Sequence, residues 1–315
     1  MGMGAPPSGT LAKMEAARII SAAFGVLARH WTLPLADIGP IEPGFTPLAT
    51  LFGAERFLTA MLARQQAATP GLDEKGAAAF FITEYSNLLG ILAAVPFLSH
   101  GLVPDLSARN CALAAQPPPG EPPDVRLRLL NAAGVTDRPL AAPSSLIRPV
   151  DRAGLLEALG QSLEAHMAPL IDTLHTRTGL PRRAMWRLVG DAVAMRFLEA
   201  GQRLGCEAVA KADVMAALMR TGSPLANRQL HFFDVEIVDD ARRVLARRTF
   251  RARGGCCRFY TAPGGSLCTS CVLVKPEDRR QRIEARMRAE LGLPRVAQEP
   301  VGQLTTSSLL PGGEA

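Results

Sequence analysis

Through the first hundred positions, apolar residues recur at three- and four-residue steps. In AKMEAARIISAAFGVLARHW, Ile20, Phe24, Leu27 and Trp31 fall on one helical face. AERFLTAMLARQQA repeats the pattern with Phe57, Met61 and Leu62. A third stretch, AAAFFITEYSNLLGILAAVPFL (77–98), is apolar on nearly every side, with Glu84 and Asn87 inside it and Pro96 expected to end it. This predicts a buried core helix over 73–95. A membrane span needs about 20 almost uninterrupted apolar residues.

Near residue 100 the pattern changes. GLVPDLSARNCALAAQ and DVRLRLLNAAG alternate apolar and polar positions, as half-buried strands do. PPPGEPP (117–123) lies between them as a turn or short linker, since proline fixes the backbone and removes a donor. RPLAAPSSLIRP is expected to be a loop.

Helical spacing returns from about 152 to 220, first with Leu156, Leu159, Leu163, Met167 and Leu170 on one face. PRRAMWRLVGDAVAMRFLEAG is expected to begin at Pro181 and stop at Gly201, and CEAVAKADVMAALMRTG forms a third helix. HFFDVEIVDD and RVLARRTFRA alternate and pair as strands across Asp239 and Asp240. In KPEDRRQRIEARMRAELGLP, Pro276, Glu277 and Asp278 suit a first helical turn, and Ile283, Met287 and Leu291 mark the apolar stripe. A disordered tail is expected over 295–315.

The expected architecture is α+β and predominantly helical, with a small antiparallel β element. A mainly helical body spans 1–225, with short strands near 101–130. Residues 226–294 add C-terminal strands, a cysteine segment over 254–271 and a final helix.

Composition narrows the function classes. The chain has 315 residues, 48% hydrophobic and 20% charged, which is enough for a core that needs no disulfide staples. A net charge of +6 favours anionic partners. Basic residues are not concentrated, and two Tyr and two Trp offer little base stacking, so nucleic acid is not an expected partner. Glu15 and Arg18 interrupt the apolar N-terminal stretch, which does not have the form of a signal peptide. A reducing cytoplasm is therefore expected, where clustered cysteines are more often metal ligands than disulfides.

Four of the six cysteines lie in GGCCRFYTAPGGSLCTSC: Cys256 and Cys257 adjacent, then Cys268 and Cys271 two residues apart. Four thiolates suit tetrahedral zinc or an iron–sulfur cluster. The Cys268–Cys271 spacing lets one turn deliver two sulfurs to one metal. Neighbouring side chains on an extended backbone point to opposite faces. Cys256 and Cys257 therefore meet one site only on a bent backbone, or by binding different atoms of a larger site. An iron–sulfur cluster, structural zinc and redox-active or incidental thiols all remain open at this point. Gly254, Gly255, Gly264 and Gly265 are expected to permit unusual backbone angles and to bring amides to the sulfurs. Arg251, Arg253, Arg258 and Lys275 would offset the ligands' charge.

Two adjacent cysteines, ten residues, a cysteine, two residues and a cysteine resembles the signature of the FhuF-like ferric-siderophore reductases. The arginine-rich approach RRTFRARGGCCRFY and the Pro-Gly-Gly turn fit as well. The resemblance implies that Cys256, Cys257, Cys268 and Cys271 hold a [2Fe–2S] cluster. It further implies one-electron reduction of siderophore-bound Fe(III) to Fe(II), in a cytoplasmic protein at most peripheral to the inner membrane. In the body, HGLVPDLSARN resembles a degraded motif of aerobactin-type siderophore synthetases. Gly101, Asp105 and Asn110 correspond, whereas Ser107 and Arg109 replace the expected histidine and glutamine, so a shared scaffold without the nucleotide chemistry is implied.

No G-x-G-x-x-G follows a strand, so neither NAD nor flavin is expected and electrons must come from a separate donor, such as a ferredoxin or a flavin reductase. Arg251, Arg253 and Arg258 are candidate contacts to an anionic ferric siderophore. The arginines of the last helix are a candidate docking face for an acidic donor, or a solvated face. Cys111 and Cys206 are expected to be small buried hydrophobes, and Trp31 and Trp186 core residues. The rival readings are a non-enzymatic four-cysteine zinc protein and a [2Fe–2S] sensor or assembly factor.

Overall fold

The computed structural model describes residues 8–31, 36–114, 126–140 and 144–294. The proline-rich stretch at 117–123 and the tail from 295 lie outside them. The chain runs α1 (Ser8–His30), β1 (Ala36–Ile38), β2 (Phe45–Pro47), α2 (Leu48–Leu51), α3 (Glu55–Ala68), α4 (Glu74–His100), β3 (Leu102–Pro104) and β4 (Cys111–Ala114). It continues with β5 (Arg126–Leu129), β6 (Gly134–Thr136), β7 (Ile147–Pro149), α5 (Arg152–Thr178), α6 (Arg182–Arg203) and α7 (Glu207–Leu218). Last come β8 (His231–Val238), β9 (Val244–Ala252) and α8 (Pro276–Glu290).

The fold is α+β and mostly helical, organised around α4 and α6. Their backbones approach closely at Gly90, where an added Cβ would lie 3.1 Å from the Val193 Cα. Phe97 and Phe197 meet edge to face at 5.6 Å between ring centroids. Among the described residues, α4 is the one helix long and apolar enough to cross a membrane, yet 72% of its most apolar stretch is buried within the protein. Its start is fixed by Asp73, whose Oδ1 accepts the Gly76 amide at 2.7 Å. It runs through the buried Pro96 to His100, four residues beyond the breaker expected from sequence, and is capped by left-handed Gly101. Similarly, α6 continues past Gly201 to Arg203, and the left-handed glycine is Gly205. Gly201 instead admits α7, since a Cβ there would lie 2.5 Å from that of Ala210.

Strands near 101–130 form as expected, in two small sheets ordered β1-β5-β4-β2 and β3-β6-β7. Each sheet contains one parallel pair, β1 with β5 and β6 with β7, beside its antiparallel ones. The loop expected over 138–149 supplies β7 at its end. At the C-terminal side, β8 and β9 form an antiparallel hairpin in the register His231 to Ala252. Beneath it, Val235 and Ile237 pack on Ile283 and Met287 of α8, in a small apolar cluster distinct from the main core.

Candidate metal centre

The cysteine segment links β9 to α8 and lies against α6 and the start of α4. Its anchor is Asp191, in the middle of α6 and 2% exposed. Asp191 Oδ1 accepts the Gly254 amide and Oδ2 the Gly255 amide, each at 2.9 Å. Arg253 Nε lies 3.6 Å from the same carboxylate, and Arg251 donates to the Asp191 backbone carbonyl. Burial raises the Asp191 pKa, against the opposing pull of Arg251, the two amides and Arg253. Burial also lowers Arg251, to about 10.

Both glycines are required by contact rather than by backbone angle. A Cβ on Gly254 would lie 1.5 Å from Asn227 Nδ2, and one on Gly255 would lie 2.9 Å from the Leu188 backbone nitrogen. Their amides reach Asp191 and not sulfur, contrary to the expectation from sequence. Of the four segment glycines only Gly264 has a positive φ, 71°. A Cβ on Gly265 would press on the Phe259 carbonyl oxygen at 2.1 Å.

The bend that the adjacent cysteines demand is made by Arg258, a non-glycine residue at φ 63°. Its amide donates to Cys256 Sγ at 3.4 Å, and the Phe259 amide donates to Cys257 Sγ. The Arg258 guanidinium pairs with Asp73 Oδ2 at 2.7 Å, which ties the turn to the N-terminus of α4. Phe259 packs on Phe80 at 6.2 Å, and Pro263 fills the space left open by Gly71. Cys268 and Cys271 flank a tight turn closed by the Cys271 amide on the Cys268 carbonyl at 3.0 Å. Cys271 is buried and the other three are half-buried.

Cys257 and Cys268 are in contact. The Cys268 thiol donates to Cys257, which lowers the Cys257 pKa with help from the Phe259 amide and Arg253. Cys268 moves the opposite way because it keeps the shared proton. Arg253 Nη1 lies 3.6 Å from Cys268 Sγ. Burial opposes its charge, but Asp191 and the sulfurs outweigh burial and its pKa is raised.

Donors around the segment point to an anionic occupant. The Nε groups of Arg251, Arg253 and Arg258 and the Asn227 Nδ2 are buried without a hydrogen-bond acceptor. Among the described residues, no three Cys, His, Asp or Glu side chains converge as ligands of a single ion would. Four cysteines on one short segment, with Cys257 touching Cys268 and buried arginine donors beside them, fit the ligand set of an anionic cluster.

Beside the segment is a cavity of about 460 Å³, walled by α4, α6, β9 and α8. Arg253, Thr269 and Ser270 bring the cysteine segment into this wall.

The model of the family described as ferric iron reductase FhuF-like transporter matches residues 79–234, from the first turns of α4 into β8. The model of the FhuF 2Fe-2S C-terminal domain matches residues 253–273. The chain belongs to the FhuF-like ferric iron reductase family. No curated protein matches the sequence.

The FhuF-like C-terminal domain identifies the cofactor as a [2Fe–2S] cluster. All four segment cysteines lie within the matched residues. Of the arginines singled out from sequence, Arg251 and Arg253 line the cavity, whereas Arg258 does not and is engaged by Asp73. Cys111 is fully buried, and its pKa is raised by burial. Cys206 is only half-buried, at the N-terminus of α7. Trp186 is core; Trp31 is half-buried, with Arg203 stacked 4.5 Å from its ring. Asp191 escaped sequence reasoning. Its signal was a carboxylate set within the apolar run RLVGDAVAM, where a helix facing a core carries no charge without a partner.

Proposed function

We propose that this chain reduces siderophore-bound Fe(III) to Fe(II), one electron at a time, in the cytoplasm. Cys256, Cys257, Cys268 and Cys271 are the proposed ligands of its [2Fe–2S] cluster. The observation that carries the assignment is the cluster of acceptor-less buried donors on Arg251, Arg253, Arg258 and Asn227 around four cysteines. When bound, such a cluster accepts and releases single electrons.

The chain's own residues hold and tune the site. Asp191 fixes the approach through two amides, and Arg253 places positive charge beside Cys268. Amides of Arg258 and Phe259 supply hydrogen bonds to sulfur, which stabilise negative charge there. Siderophores grip Fe(III) with hard oxygen donors and hold Fe(II) less firmly, so one added electron releases the metal. A separate protein, such as a ferredoxin or a flavin reductase, supplies that electron. The division near residue 225 belongs to the same proposal, supported by the separate apolar cluster under the hairpin.

The test is anaerobic purification followed by metal and sulfide analysis. About two iron and two sulfide per chain are expected. Chemically reduced protein should then be reoxidised by a ferric siderophore, with Fe(II) captured by an Fe(II)-specific chelator. Stoichiometric zinc without sulfide would establish the zinc protein instead. A cluster that passes no electron to any ferric siderophore would leave the sensor or assembly factor.

A further inference from the structure

We infer that the groove at the start of α8 binds one carboxylate on Arg279, and that this carboxylate is an acidic side chain of the protein that supplies the electron. The choice of partner deepens the reductase reading and rests on it. Arg279, Ile283 and Met287 follow one another at four-residue steps and so share a face of α8. Ile283 and Met287 pack on Val235 and Ile237 of the hairpin. Arg279, one turn earlier, is only 8% exposed. Among the described residues its guanidinium has neither a hydrogen-bond acceptor nor an ion-pair partner. A charge withdrawn from water without a partner is costly, and a guanidinium does not shed its proton to escape that cost. What exposure Arg279 keeps opens on a groove of about 520 Å³ between α8 and β8, which it lines together with His231 and Phe233. Pro276 and Glu277 bring the N-terminus of α8 to the same groove, and no side chain caps that end. Uncapped first-turn amides favour a negative group.

Charge sets the class of ligand. Arg279 and Arg280 in the groove are matched in number by Glu277 and Glu284, so no surplus is left for a multiply charged anion. Arg280 is engaged: it donates to the Asp234 carbonyl at 3.0 Å and lies 5.7 Å from the Phe233 ring centre. Neither glutamate comes within ion-pair distance of Arg279. One buried guanidinium fork remains, and it fits one carboxylate. Phe233 gives the stem of that group an apolar wall.

Position sets its source. Pro276, at the edge of the groove, follows Cys271 by five residues, a chain span of at most about 18 Å. Between them Leu273 is 56% exposed, and Leu267, in the same segment, is 38% exposed. Exposed apolar side chains beside a charged anchor suit a small, transient interface, under about 1,200 Å². A protein seated there lies against the segment that carries the four proposed ligands. The step balances: one electron leaves the reduced partner, this protein gains it, and no bond is made or broken.

The probes are hydrocinnamate (a carboxylate on an aromatic stem), its neutral amide, and a reduced acidic [2Fe–2S] ferredoxin. All are applied to anaerobic, cluster-loaded full-length protein. Hydrocinnamate should raise the melting temperature, and the amide should not. Arg279→Met keeps the buried stem and removes the charge. It should melt no lower than wild type in buffer, since a buried charge without a partner adds no stability. It should also lose the response to hydrocinnamate. Stopped-flow reduction by ferredoxin should slow about tenfold in this variant, as for other buried charge contacts between proteins. Reduction by dithionite should be unchanged. Arg148→Met, at an exposed position on β7, should match wild type in every assay.

Lower melting of Arg279→Met in buffer, or equal responses to the acid and the amide, would overturn the carboxylate site. A response to hydrocinnamate with equal ferredoxin rates in wild type and Arg279→Met would assign the groove to a free carboxylate and overturn the protein partner. If ferredoxin reduces the two proteins as expected but no ferric siderophore reoxidises them, the reductase reading falls while the docking site stands. Reoxidation with equal ferredoxin rates gives the reverse.

Discussion

Asp191, in the middle of α6, holds the amide of Gly254 at 2.9 Å, two residues before the first cysteine of the cluster segment. The body of the protein thereby positions the metal centre. The carboxylate is almost wholly buried and takes a second amide from Gly255, with Arg253 as its nearest cation.

Asp191→Asn preserves the shape but points an NH₂ group at one of the two amides and removes the charge facing Arg253. Breaking one partner of a buried charged network costs about 3–5 kcal/mol. The variant should lose thermal stability by that order. Iron and sulfide per chain should also fall, because the segment is no longer pinned. A variant with wild-type melting and full iron content would show that the anchor is dispensable.

The Gly254 contact permits a rescue test. Gly254→Ala drives a methyl group into Asn227 Nδ2, and overpacking of this kind costs about 1–3 kcal/mol. The obstructing atom is the end of a side chain, so Asn227→Ala in the same chain should recover much of the loss. Gly255→Ala has no such remedy, since its Cβ meets the backbone of Leu188 at 2.9 Å. Chemical denaturation of the two single variants and the double variant checks the ordering.

The helical frame was legible in the sequence because apolar periodicity reports burial directly. The stripes of α1, α5 and α8 fall where the spacing of Ile20, Leu159 and Ile283 places them, except that Leu291, expected to continue the last one, lies past the end of α8 and is 42% exposed. Helix ends were less legible. Pro96 and Gly201 have the look of terminators, but one is carried inside a buried helix and the other admits a neighbouring helix. The cysteine quartet announced itself by spacing. What surrounds it did not: Asp73 at the start of α4, Asp191 in α6 and Asn227 in the loop before β8 are 181, 63 and 27 residues from Gly254 in sequence and meet the segment only in the folded chain. The arginines of α8 also split by context. Arg279 is buried, and Arg280 and Arg288 donate to carbonyls of the β8 strand, so part of the expected docking face braces the hairpin.

Replacing each segment cysteine with serine separates ligands from bystanders. Cys256→Ser, Cys257→Ser, Cys268→Ser and Cys271→Ser should each reduce iron and sulfide content several-fold and bleach or shift the visible bands. Cys206→Ser should leave both unchanged, and Cys111→Ser should lower stability but not the iron content of the folded protein. Cys111 is fully buried, and its thiol donates to the Leu106 carbonyl at 3.4 Å. Full cluster loading in any one of the four segment variants would remove that residue from the ligand set.

Acid sensitivity should arise at His166, in α5. Its Nδ1 faces the Leu106 carbonyl, which can only accept, so Nδ1 carries the proton and Nε2 accepts from the Tyr85 hydroxyl at 2.6 Å. The ring is completely buried, and burial depresses its pKa to about 4. In the unfolded chain the same group titrates near the ordinary histidine value, about 6.5. Above that value both states are neutral and His166 has no effect on the pH dependence. As pH falls from about 6.5 towards 4, the unfolded state binds a proton that the native state refuses, and stability declines. The full shift corresponds to a loss on the order of 3 kcal/mol. His166→Gln can donate and accept at the same site but does not titrate. The slope of unfolding free energy against pH between 4 and 6.5 should therefore flatten in the variant, even if its stability at neutral pH is lower. An undiminished slope would assign the acid sensitivity to other groups.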